Sequence, residues 1–209
     1  MLVVCLGVLA GAAEAPERKI EGNVILSERD PKVRIELSAN VRYVGADRWE
    51  LLGIADCELH AFVEADQKQN VKKLYWIQFE GYLPSKPTLK HQYDSPRHTT
   101  IGGLDFYVDT WVRGQDDKVT PDSDLDHIHK LIREKGYKLP EGMMSLRLVH
   151  LLDEQKRKEL MIIYGEDVAS TGFSAADLKK GGRAHEQWNS IEKGLVEKAQ
   201  ISITEINKP

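Results

Sequence analysis

Apolar and polar residues alternate along several stretches between positions 33 and 113, the period of a strand whose two faces see different surroundings. Val33, Ile35 and Leu37 take one side, with Arg34 and Glu36 between them. Residues 41–44 and 49–54 flank Gly45-Ala46-Asp47, a sequence suited to a hairpin turn. Within Ala55–Ala65 the residues Cys57, Leu59, Ala61 and Val63 share a face. A polar stretch at 66–70 turns the chain into Val71–Tyr82, where Tyr75, Ile77 and Phe79 oppose Trp76, Gln78 and Glu80. After a connection containing Pro84, Pro87 and Pro96, a long strand over 104–113 follows. It sets Leu104, Phe106, Val108 and Val112 against Asp105, Tyr107, Asp109, Trp111 and Arg113. Strands at 145–152 and 159–164 make a hairpin around the charged loop 153–158.

Elsewhere the period lengthens to that of a helix. Leu125, Ile128, Leu131 and Ile132 form an apolar stripe over 123–136, started by Asp122, Ser123 and Asp124 and stopped by Gly136. A second helix over 185–200 carries Trp188, Ile191, Leu195 and Ala199 on one face, with Glu192, Lys193, Glu197 and Lys198 around the others. Strands, helix, hairpin, helix is the order of an α+β fold, expected as one domain over 16–209. Its sheet is expected to be curved and mainly antiparallel, in the limit barrel-like, with the two main helices packed on one face or end.

Composition then narrows the classes of function. Hydrophobic residues at 41% are enough for a core, and charged residues at 30% exclude a membrane-embedded body. With 29 basic against 33 acidic residues the chain lacks the positive surplus that holds a phosphate backbone, so no nucleic-acid partner is expected. Residues 2–13 carry no charge and lead into Ala13-Glu14-Ala15, a small-residue pattern of the kind signal peptidase reads. Residues 1–15 are therefore expected to be a signal peptide, and the mature chain to be extracytoplasmic, either periplasmic or secreted. A buried strand or short helix is the plainer alternative. The run lacks a basic n-region, and Pro16 suits the position after a cut poorly, which favours cleavage after Ala12 or Ala13. It is also too short to span a bilayer, which takes about 20 residues. Removal of the signal leaves Cys57 alone of two cysteines, so no intramolecular disulfide can staple the fold.

Three apparent motifs fail on spacing or context. Gly172-Phe173-Ser174-Ala175-Ala176 resembles a nucleophile elbow, but a loop precedes it rather than a strand, and Ser174 with Asp177 reads as a capping box. His185-Glu186-Gln187-Trp188-Asn189 starts like a zinc-protease helix, yet Asn189 stands where the second imidazole must be. Residues 122–126 imitate a calcium loop that would need Gly at His127 and Glu at Arg133. His127 and His129 diverge by about 200° on a helix and cannot share a metal.

What remains is two strand faces. Asp56, Glu58, His60, Phe62 and Glu64 project together, close enough for Glu58 and His60 to share a ligand or a proton. Tyr107, Asp109 and Trp111 project together from the later strand. If both faces line one concavity, Glu58, His60, Tyr107, Asp109 and Trp111 are the candidate ligand-binding residues. The plainer reading of each face is a solvated surface of charged cross-strand pairs. No cofactor is expected, and no metal, because a zinc site wants at least three protein ligands and Cys57 points away from Glu58 and His60. The function expected is that of an extracytoplasmic, non-catalytic binding or accessory protein for a small molecule or protein. The alternative is a hydrolase-type enzyme using Glu58, His60 or Asp109 as acid–base groups in a sheet-lined pocket.

Overall fold

Eleven strands and three helices follow one another along residues 15–207, which the computed structural model describes. The expected signal segment lies outside the described residues except for its last position, Ala15. In chain order the elements are β1 (Lys19–Glu21), β2 (Val24–Ser27), β3 (Val33–Leu37), β4 (Arg42–Leu51), β5 (Ala55–Ala65), β6 (Val71–Tyr82), β7 (Arg97–Ile101) and β8 (Leu104–Gly114). Then come α1 (Asp124–Glu134), β9 (Gly142–Leu151), β10 (Lys158–Asp167), α2 (Ala175–Leu178), α3 (Trp188–Ser202) and β11 (Ile203–Asn207). The strands form two sheets, β1-β2-β3-β11 and β4-β5-β6-β10-β9-β8-β7, and every strand pair is antiparallel. The fold is α+β and mostly sheet, and the large sheet curves without closing: β4 and β7 stay at its two edges.

Period-two alternation divides the large sheet into two buried faces. On one, Phe62, Tyr75, Ile77, Phe106, Leu148, Ile162 and Tyr164 meet Ile25, Ile35 and Leu37 of the small sheet and Leu195 and Ala199 of α3. On the other, Leu59, Ala61, Val63, Leu74, Trp76, Val149, Met161 and Ile163 meet Ile128, Leu131 and Ile132 of α1. The helices thus sit on opposite faces. Each fully buried Leu or Ile contributes about 1.5–3 kcal/mol, so the two seams hold the covers in place.

Local chemistry explains where α1 begins and ends. The Ser123 hydroxyl accepts from the Asp126 amide, and Gly136 at φ 82° lets the Tyr137 amide reach back to the Ile132 carbonyl at 3.1 Å. At Ser174 the capping box with Asp177 is complete.

Gly45-Ala46-Asp47 makes no turn. It lies inside β4, at a register shift between Tyr43 and Gly45. A Cβ at Gly45 would sit 3.3 Å from Leu131 Cδ1, so glycine here admits α1 onto the strand. The real hairpin turn is Leu52-Gly53, with both φ angles positive (50° and 67°), a conformation that leucine rarely signals.

Candidate functional site

Coverage of the large sheet is uneven, and geometry requires it. An α-helix is about 10 Å across while strands lie about 4.8 Å apart, so one helix roofs two or three strands of seven. α1 packs on β4 and β5. Between it and β8–β9 a cleft of about 670 Å³ remains open. Its floor is Leu74 and Trp76 of β6, Met161 and Ile163 of β10, Met143 and Ser145 of β9, and Trp111 of β8. Leu125, Ile128 and His129 of α1 form one wall, and Tyr137, Leu139 and Pro140 continue it. Arg113, Arg133, Lys138 and Glu141 stand at the rim. An apolar, aromatic concavity with a few polar groups at its edge is the usual composition of a small-ligand site.

The structure separates the residues expected to converge. Trp111 lines the cleft. Asp109 is one step along the same face, where it accepts from the Arg147 guanidinium at 2.7 Å and the Ser95 hydroxyl at 2.5 Å. Burial opposes its ionisation, but these two partners and nearby Arg97 hold the carboxyl below its ordinary value. Tyr107 packs beside Tyr93 and His98, towards the β7 edge. Glu58 and His60 lie on the opposite face of the sheet, with three strands between β5 and β8, and do not meet the other three.

Nor is that opposite face solvated. Glu58 is 2% exposed. Its carboxylate accepts from the Glu17 and Arg18 amides, both at 2.9 Å, and from the Arg18 guanidinium at 3.0 Å. His60 Nε2 lies 2.8 Å from the same carboxylate, and Tyr43 Oη lies 3.2 Å from His60 Nδ1. Since a carboxylate only accepts, Nε2 carries a proton and donates it to Glu58. Burial works against the charge on Glu58, but the hydrogen bonds from His60, Glu17 and Arg18 outweigh it and hold the group at about 2. Arg18 also lies over the Phe79 ring at 4.2 Å. The pair anchors the N-terminal segment to the sheet.

A second buried polar layer, which alternation alone did not single out, lies between the cleft side of the sheet and the start of α1. The Trp76 indole donates to Gln78 at 2.9 Å, and the Gln78 amide donates to Glu80 at 3.0 Å. Glu159 accepts from Tyr93 at 2.7 Å and lies 3.0 Å from His91 Nδ1. Burial, then repulsion from Glu159 and Asp124, pushes Glu80 up to about 7; burial pushes Asp124 up as well. One ligand atom each of Cys57, Glu80 and Asp124 lies within 4.8 Å of the others, a spacing that a metal could use. Burial also pushes the Cys57 thiol up, so its resting state is the protonated one, which is a poor ligand. Part of the signal for this layer was present in the sequence, where Gln78 and Glu80 share one strand face; the structure pairs Glu80 with Cys57 on β5 and with Glu159 on β10.

Comparison with known proteins found no matching family model, no similar curated protein and no similar solved structure.

Proposed function

We propose that this protein is an extracytoplasmic, non-catalytic binding protein whose ligand occupies the cleft between α1 and strands β8–β9. The observation that carries the reading is the cleft itself, an apolar concavity of about 670 Å³ beside a sheet face that is otherwise covered. Among the described residues lining it, no serine or thiol is hydrogen-bonded to a base, which is the arrangement a nucleophilic hydrolase needs. Glu58 and His60 serve the hydrolase alternative poorly, since both are buried with all their polar atoms engaged. No helix among the described residues is long and apolar enough to cross a membrane. The extracytoplasmic part of the reading rests on the uncharged run at 2–13 and its small-residue end.

The test is a neutral environment-sensitive dye, Nile red, titrated into the wild type and Ser145→Phe. Ser145 faces the cleft floor, and a phenyl group there fills it at a cost of about 1–3 kcal/mol in stability. The wild type should bind the dye with a blue shift, and the variant should bind it at least tenfold more weakly while still melting cooperatively. Equal binding by both would move the ligand site elsewhere. Intact mass of protein from its native host should give a mature chain starting near residues 13–17, and an uncut chain in the cytosol would contradict the address.

A further inference from the structure

We infer that the cleft takes an amphiphile with a single anionic group, its chain or ring against Trp76, Trp111 and Ile163 and its anion between Arg113 and Arg133. This rests on the cleft being the ligand site. It goes further by naming the ligand's chemistry, which the charges at the rim carry. Arg113, on β8, donates one guanidinium N–H to the Lys118 carbonyl at 2.9 Å and is otherwise free to bond outward. Arg133, across the opening on α1, has no hydrogen-bond or ion-pair partner among the described residues. His129 lies close enough to both that burial first, then the two guanidinium charges, push it down to about 4, with only Asp126 opposing.

The carboxylates that could neutralise this rim are largely engaged. Asp117 accepts from Lys179 at 2.5 and 2.7 Å, and Asp109 is held by Arg147. The other acids on the lining are Asp124, whose ionisation burial opposes, and Glu141, with Lys138 on the same lining. Two guanidinium groups facing one opening repel each other until an anion enters, and each offers a planar fork of donors that fits a carboxylate. The floor beneath them is apolar, so the body of the ligand leaves water while its charged end stays at the mouth. A small free anion would gain the charge contacts but not the burial, and a neutral chain the reverse.

Calorimetry with decanoate, decanol and acetate at pH 7.5 separates these cases. Decanoate should bind at least tenfold more tightly than decanol, because its carboxylate gains charge-assisted hydrogen bonds to the guanidinium groups, and acetate should not bind measurably. Arg133→Gln, at an exposed helix position, should keep its fold and bring decanoate down to the affinity of decanol without changing decanol. Equal affinity of wild type for decanoate and decanol would overturn the anion site and leave the cleft standing. An unchanged decanoate preference in Arg133→Gln would overturn the placement of the anion. Absence of binding by both chains would overturn the cleft reading and this inference with it.

Discussion

The two faces of the seven-stranded sheet are built from the same alternating pattern, yet one is sealed over its apolar core, leaving recesses lined mainly by charged side chains, and the other keeps an apolar cleft open. The sealed face has a four-stranded sheet and a 15-residue helix laid over it. Its polar groups are paired: Glu58 with Arg18 and His60, Tyr75 with Glu64, and Tyr164 with Glu166, which also takes Lys198. The other face has one 11-residue helix, too narrow for seven strands. There the apolar surface continues past the cover and becomes a cleft, and burial with repulsion from Glu159 and Asp124 raises Glu80. Coverage, rather than composition, decides which face is structural and which can bind.

The largest effect expected is on the sealed face. Leu195 is 2% exposed on α3, so Leu195→Asp puts a charge into the seam. It should lose about 3–5 kcal/mol, enough to unfold a domain of ordinary stability. Wild-type thermal denaturation of this variant would mean that α3 is not docked.

Acid and base should act on the two faces with opposite sign. Glu58 is held at about 2 against an ordinary 4.5, so its contribution is complete above pH 4.5 and is lost as pH falls towards 2. That difference corresponds to about 3 kcal/mol. Glu58→Gln should lose a similar amount at neutral pH and show a flatter acid limb in urea denaturation. An acid limb as steep as that of the wild type would detach Glu58 from acid stability.

Glu80 behaves in the opposite sense. Raised to about 7, it favours the fold while protonated, so its contribution is full below pH 4.5 and is lost as pH rises through 7. Glu80→Gln keeps the site neutral and should be more stable than wild type at pH 8.5, by on the order of 2 kcal/mol. The two proteins should be nearly equal at pH 5. A variant no better at pH 8.5 would show that Glu80 is charged in the fold without cost.

Most long elements were legible in the sequence, and most short ones were not; the exceptions are β3, found from five alternating residues, and β4, broken at Gly45. α1 and α3 show apolar stripes, α1 with a cap as well; β5, β6 and β8 alternate over most of their length, and β9 and β10 stand out as largely apolar runs. β1, β2 and β7 have three to five residues each and pair with the next strand, too short for a period to show, while β11 pairs with the distant β3, which no local pattern records. The Gly45 turn misread a bulge, because glycine serves both. At the site, Trp111 and Asp109 could be placed on one face, and Cys57 on the face opposite Glu58. Whether two faces meet depends on strand order: β5 and β8 are separated by β6, β10 and β9, and their polar residues have opposite parity relative to the sheet.

The tryptophans report on both faces in one experiment. Trp76 and Trp111 line the cleft, whereas Trp188 packs against the sealed core. In protein labelled with 5-fluorotryptophan, ¹⁹F spectra recorded during titration with decanoate should show the Trp76 and Trp111 resonances moving together to saturation while Trp188 stays in place. A shift of Trp188 with Trp76 and Trp111 unmoved would put the ligand on the face we describe as sealed, and would contradict the account.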